Sequence, residues 1–357
     1  MSIEELTNRQ PLGVSVAICC HNGEEQLPAT LAHLRDQRVK SEIPWEILLV
    51  DNASTDRSAQ VARLCWANET AAPLRVVQEP QLGLNCARER ALREARYEIV
   101  SFVDDDNWVS SDWVAVVSET MSAEPELGAI GSINRAVSGI AFPPWFSRYC
   151  QYYAAADHFG SSTMPPFMLN GAGMTIRRDA WRQMIGNGFR SQLSDRVGAQ
   201  LSSCGDIEWG LALALAGWKF RLEPHLQLEH HIRAERLRWS YLRRLLRSVG
   251  EANVVLDGYY SIRPAGAKLK TLLRQHWWWH FLMEIRHLIL AHSLPRLLRA
   301  YLSEMEGNDD IADIELRFGR LLGFLVLRSR YGAIRRDIAR APWRRRDTLF
   351  SAADGES

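Results

Sequence analysis

The sequence predicts an α/β protein: a Rossmann-like, mostly parallel sheet flanked by helices, with a helical C-terminal extension. Three observations carry this. In the first hundred residues, short apolar runs alternate with helix-spaced segments about every 25–30 residues, as βαβ units do. Each run ends in a polar turn, and in parallel sheets those turns share one edge. From about residue 234 the spacing is helical and arginine-rich.

VSVAICC (14–20) is short, apolar and closed by HNGEE, which predicts a buried strand and a turn. LPATLAHLRDQ (27–37) then has helical spacing. WEILLVDNASTD (45–56) repeats the pattern, with turn and N-cap residues after the apolar run, and SAQVARLCWA follows as a helix. LRVVQE (74–79) is the third strand and LNCARERALREA (84–95) its helix. YEIVSFV (97–103) is the fourth strand and runs straight into Asp104, Asp105 and Asp106.

Beyond these, GAIGSI (128–133) reads as a strand, and FPPWFSRYCQYY (142–153) and MPPF (164–167) as irregular aromatic loops. MLNGAGMTIRRDAW reads as a strand entering a helix, with Arg177 and Arg178 as surface charges rather than contacts to phosphate or acceptor. GDIEWGLALALAGW (205–218) is a helix closed by Gly217, and KFRLEP a short strand. Three long helical segments follow, and the tail DTLFSAADGES is expected to be disordered.

Charge is split along the chain. Residues 1–231 carry 20 Lys and Arg against 28 Asp and Glu, whereas residues 232–346 carry 23 against 11. The acidic part suits a cation and the basic part something anionic. Helices with Arg on one face and Trp, Phe or Leu on another can lie on anionic lipid, and Trp277, Trp278 and Trp279 stand in such a stretch. Nucleic acid is not an expected partner, because no recognition motif accompanies the charge. MSIEELTNRQ has no apolar core, which predicts no signal peptide, and LLGFLVL is far short of a membrane span. The six cysteines form no CxxC pair and are expected to be reduced.

Two constellations carry chemistry. Asp104 and Asp106 lie two apart at a strand end, so an extended segment points both to one side. Mg2+ or Mn2+ commonly takes one or two carboxylates plus substrate phosphates. The competing reading is that the aspartates cap a helix beginning near Ser110 or Ser111. Asp206 and Glu208 open a helix, where a carboxylate can stay ionised and act as a general base, or simply cap it.

These segments, in this order over residues 12–235, resemble family 2 glycosyltransferases with the GT-A fold. The resemblance implies inverting transfer of a sugar from a nucleotide diphosphate sugar, UDP-sugar favoured, to a hydroxyl acceptor. The product would be a bacterial polysaccharide, glycolipid or lipid-linked oligosaccharide. It implies Asp104 and Asp106 as the metal-binding pair, with His230 completing that site. Asp206 is the implied catalytic base and Glu208 the second acidic position. His21, Asn22, Asp51, Asn52, Arg88 and Asp105 are the implied donor-binding residues. Residues 1–233 become the catalytic domain, with a nucleotide-sugar part (about 12–110) and an acceptor part (about 111–233). Residues 234–346 become a basic helical region and 347–357 a tail. The implied location is cytoplasmic, with peripheral contact to the plasma membrane. A sugar nucleotidyltransferase would need a Gly-rich, lysine-bearing loop after the first strand, which HNGEEQ lacks. A non-catalytic sugar-nucleotide-binding protein would have no need of the retained aspartates.

Overall fold

The computed structural model describes residues 12–68, 71–155, 169–194, 196, 201, 203–260, 276–291 and 305–345. MPPF and the last eleven residues lie outside this range. Strands β1 (Val14–Cys20), β2 (Trp45–Asn52), β3 (Leu74–Glu79) and β4 (Ile99–Phe102) are joined through α1 (Leu27–Arg35), α2 (Ser58–Cys65) and α3 (Leu84–Glu94). β1 pairs in parallel with both β2 and β4, and β2 with β3. All eight residues of β2 are buried, which is why its centre, Ile47 to Val50, reads as an unbroken apolar run. Because the strands are parallel, His21, Asp51, Asn52 and Asp104 emerge at one edge.

The rest of the sheet is assembled from β5 (Asn107–Val109), β6 (Leu127–Val137), β7 (Thr175–Arg177) and β8 (Lys219–His231), giving the order β3-β2-β1-β4-β7-β6-β8-β5. β7 is antiparallel to β4 and β6, β8 is parallel to β6, and β5 is antiparallel to β8. Helix α4 (Trp113–Ala123) connects β5 to β6. It starts beyond β5, so the aspartate run does not cap it. The pairing of Asn107 with His230 brings the neighbouring Asp106 to the end of β8.

Three expectations need correction. KFRLEP is only the start of a 13-residue strand; Pro224 falls within a register shift, where the ladder needs no N–H. Residues 146–153 are helical, as α5 (Phe146–Tyr149) and a 3-10 turn (Cys150–Tyr153), because their aromatic rings pack into a core with Trp239 and Tyr241. Arg177 and Arg178 are buried braces. Arg177 donates to the carbonyls of Leu127 (2.9 Å) and Met121 (2.7 Å), and Arg178 to that of Leu92 (2.9 Å). The cysteines are free thiols, as expected.

α6 (Arg178–Gly186) and α7 (Gly205–Leu215) cover the sheet, and the extension adds α8 (Trp239–Tyr260), α9 (Trp277–Ala291), α10 (Asp309–Leu327) and α11 (Tyr331–Arg340). The boundary at 233 is no break in packing. Ala252, Val255, Leu256 and Tyr259 of α8, with Ile334, Ile338 and Trp343, share one apolar cluster with β-sheet residues such as Val100 and Ile176. α8 and α10 cross so closely that a Cβ on Gly319 would collide with the Arg247 carbonyl, and one on Gly250 with that of Leu316. Beside this crossing Arg243 (2.7 Å) and Arg247 (2.6 Å) neutralise the buried Glu315. Gly319→Ala should therefore lower the unfolding free energy by about 2 kcal/mol, since backbone rather than a side chain must yield. Urea titration followed by circular dichroism would measure it, and an unchanged midpoint would contradict the close crossing.

Candidate active site

The strand ends surround a cavity of about 540 Å³. His21 and Asn52 line it from the β1 and β2 ends. His21 Nδ1 lies 2.8 Å from the Asn52 carbonyl oxygen, which can only accept, so the ring proton sits on Nδ1. The Asn52 side chain is spent on the backbone: it donates to the carbonyls of Glu79 (3.1 Å) and Gln81 (2.7 Å) and accepts from Gly83 N–H (2.8 Å). It shapes the β3–α3 loop, where Gly83 adopts φ 146°. Asp51 stands behind this rim, accepting from Gln78 Nε2 (2.8 Å) and Ser54 N–H (3.2 Å). Asn22 is exposed at φ 55° and ties the two loops together through Ser54 (3.1 Å) and Thr55 (2.8 Å).

The three aspartates all border the cavity, but they differ. Asp106 is only 4% exposed. Its Oδ1 lies 3.4 Å from His230 Nε2 and its Oδ2 accepts from Arg236 Nη1 at 3.1 Å. Burial alone would raise its carboxyl; His230 and Arg236 outweigh burial and hold it below the ordinary range. Burial, and then the two neighbouring carboxylates, raise Asp105 to about 7. Its Oδ2 faces Cys20 Sγ (3.4 Å) and fills the space beside Gly23. Burial also raises Asp104, with the Arg88 guanidinium opposing it.

His230 Nδ1 lies 2.8 Å from the Tyr153 carbonyl oxygen, so it donates and leaves Nε2 towards Asp106. A histidine that ligates a metal is usually held in this way. Among the described residues no three His, Cys, Asp or Glu side chains gather into a finished metal cluster. The donor set nonetheless fits a hard divalent ion that completes its shell with substrate oxygens: Asp104, Asp106 and Nε2 of His230, which already lies beside Asp106.

Asp206 borders the same cavity from the first turn of α7. Its Oδ2 accepts from Gly171 N–H at 2.6 Å and its Oδ1 from Ile207 N–H at 2.8 Å. A Cβ on Gly171 would overlap Arg88 Nη2 and stand 3.1 Å from Asp206 Oδ2. Glycine here thus lets a cation and the carboxylate come together. Arg88, 3% exposed, lines the cavity from α3. Glu208 lies outside it. Fully buried, it accepts from Ser191 Oγ, Gln192 N–H (2.8 Å), Leu193 N–H (3.0 Å) and Tyr259 OH (2.6 Å). It clamps the 191–193 segment and α8 to α7.

Sequence reasoning missed Tyr153 and Arg236. Tyr153 holds His230 through its carbonyl, and its hydroxyl donates to the Arg236 carbonyl at 2.9 Å. It sits in the stretch read as loop, where no spacing marks it. It also missed Asn134, wholly buried, which donates to the carbonyls of Ala154 (3.0 Å) and Ala172 (2.9 Å) and so fixes two cavity walls.

Residues 15–183 match the profile of the family described as Glycosyl transferase family 2. The chain is 21% identical over 258 residues to the succinoglycan biosynthesis protein ExoM of Rhizobium meliloti, covering 72% of this chain and 79% of that protein. It is 32% identical over 111 residues to the cholesterol galactosyltransferase of Borreliella burgdorferi, or 31% of this chain and 30% of that one. The chain spans about a third of the length of the first curated relatives it matches. In fold it resembles the mannosyltransferase PcManGT from Pyrobaculum calidifontis, solved with GDP-Man and Mn2+. That match has a TM-score of 0.54 at 18% identity and covers 90% of this chain and 88% of that one. The order of strands, the cavity at their carboxyl ends and these matches agree: residues 15–183 form a family 2 glycosyltransferase domain, in a chain with the GT-A fold.

Proposed function

We propose that the chain moves a sugar, with inversion, from a nucleoside diphosphate sugar to a hydroxyl acceptor, with Asp206 as the base. The observation that carries this is a single cavity bordered by Asp104, Asp106 and Arg88 as well as by Asp206. Breaking the bond from C1 to the diphosphate leaves negative charge on the leaving oxygen, and Arg88 is placed to attract it. Asp206 would take the acceptor proton as the hydroxyl attacks C1 from the opposite side. Two N–H donors aim its carboxylate. Mg2+ or Mn2+ bound by Asp104, Asp106 and His230 would supply Lewis-acid stabilisation of the departing diphosphate. Asp51, with His21, would read the base; a UDP-sugar is favoured, and GDP-mannose, held by PcManGT, is the comparator. Glu208 serves the reaction by holding α7 in place.

The acceptor is proposed to be a growing saccharide or lipid-linked saccharide, worked on at the inner face of the plasma membrane. Among the described residues no helix is long and apolar enough to cross a membrane. α9 offers a different attachment. Trp278, Leu282, Arg286 and Leu290, spaced by four, are exposed along one face, joined by Ile289. Its other side packs Trp277 and Phe281 against Phe324, while Glu284 pairs with Arg317 (3.2 Å) and Arg320 (2.6 Å). A bulky apolar stripe carrying arginine, in a strongly basic region, suits an anionic lipid surface.

Asp206→Asn should lower transfer by about 10³-fold while the affinity for UDP or GDP is unchanged; near-normal turnover would remove Asp206 from the base role. Asp104→Ala or chelation of metal should abolish transfer and the Mn2+-dependent part of nucleotide binding in calorimetry. Retained metal dependence would move the metal site elsewhere. The chain should sediment with phosphatidylglycerol vesicles but not with phosphatidylcholine alone. Changing Trp278 and Leu282 together to Glu should abolish this, and sedimentation of the double variant would exclude α9 as the contact.

A further inference from the structure

We propose that Arg236 is a resident counter-cation of the metal site: it occupies Asp106 while the site is empty, yields that oxygen to the divalent ion, and then binds the donor's diphosphate. The inference rests on the reading of the cavity as a site for a metal and a nucleoside diphosphate. Its ground is the environment of Asp106. Both carboxylate oxygens of this side chain, 5% exposed, already have neighbours: Oδ1 lies 3.4 Å from His230 Nε2, and Oδ2 accepts from the Arg236 guanidinium at 3.1 Å. A divalent ion coming to Asp106 therefore meets a fixed positive charge within a few ångströms, in surroundings that screen it poorly. His230 can join the ion as a ligand through Nε2, since its Nδ1 is already engaged by the Tyr153 carbonyl. Arg236 cannot, because a guanidinium keeps its proton.

The guanidinium can move, however, while its backbone stays. Tyr153 OH pins the Arg236 carbonyl at 2.9 Å on the 3-10 turn Ala234–Leu237. The side chain borders the cavity and is 18% exposed, so it is not locked in the core. A planar fork of N–H donors matches phosphate oxygens as well as it matches a carboxylate. A diphosphate entering with the metal offers Arg236 a new partner at the moment Asp106 is claimed. The consequence is linkage: the metal alone binds weakly, and metal and nucleotide bind each other's complex more tightly, by the same factor in both directions.

The test measures free Mn2+ by electron paramagnetic resonance, with and without UDP or GDP, in the full chain and in Arg236→Gln and Arg236→Lys. In the unmodified chain, nucleotide should tighten Mn2+ binding at least about tenfold. Arg236→Gln should bind Mn2+ alone about tenfold more tightly, because the competing charge is gone, yet bind the Mn2+-nucleotide pair about tenfold more weakly. Arg236→Lys should leave Mn2+ alone as weak as before, while the pair binds less well for want of the fork. Thermal melts verify that both variants fold; Arg236→Lys keeps the charge, so it carries the test if the Gln variant does not. Binding of Mn2+ alone that is unchanged or weaker in Arg236→Gln, or tighter in Arg236→Lys, overturns the role of Arg236. Failure of the unmodified chain to bind Mn2+ with either nucleotide overturns the reading of the site itself, and the inference with it.

Discussion

Asp106 sits out of water between His230 and Arg236, and this compensated carboxylate organises the site. Three adjacent acids at the end of an apolar strand would repel each other and shed their charge if left alone. The fold separates them instead. Asp106 is drawn to β8 and the turn after it, Asp105 is turned towards β1 and Gly23, and Asp104 remains near Arg88. Each carboxylate is thereby tied to a different part of the chain. The arrangement needs β5, because its antiparallel pairing with β8 brings His230 to the aspartate.

The opposite wall is built on a different principle. Asp206 is held by two backbone N–H groups, with the Arg88 guanidinium nearby across Gly171. Gly171 makes this possible by supplying an N–H where any side chain would overlap Arg88. Two residues further on, Glu208 takes the opposite course: wholly buried, it spends its lone pairs on neighbouring donors, and so fixes the position of the turn that carries Asp206. Two acids on one helical turn thus do unlike work because one faces a cavity and the other does not.

What the sequence disclosed and what it hid follow from this physics. The apolar runs made β1, β2 and β4 legible because these strands are buried on both faces, and β3, a half-buried edge strand, by its short local connections. Asp104, Asp106 and Asp206 were legible because charge beside an apolar run is costly and therefore conspicuous. β5 was not, since three residues give no period and its partner β8 lies more than a hundred residues away. Asp206 and Glu208 lie two apart in sequence, and their different burial is a tertiary fact. Arg236 and Tyr153 were hidden for the same reason, as each acts through a contact with a distant segment. Arg177 and Arg178 misled because burial of a guanidinium depends on carbonyls that no local pattern announces.

The C-terminal extension is part of the site rather than an appendage to it. Leu245, Val249, Asn253, Leu256 and Tyr260 border the cavity from α8 at intervals of three and four, so one face of that helix forms a wall. The same helix reaches Glu208 through Tyr259 and enters the apolar cluster of the sheet. Its far side is locked to α10 by the glycine crossing and by Glu315, and α10 in turn carries α9 through Glu284. A force applied to the exposed face of α9 therefore passes through paired charges and close-packed backbone to the wall beside Asp206. With a membrane as the proposed support for α9, the cavity would open at a height set by rigid helices rather than by a linker, as an acceptor anchored in that membrane requires.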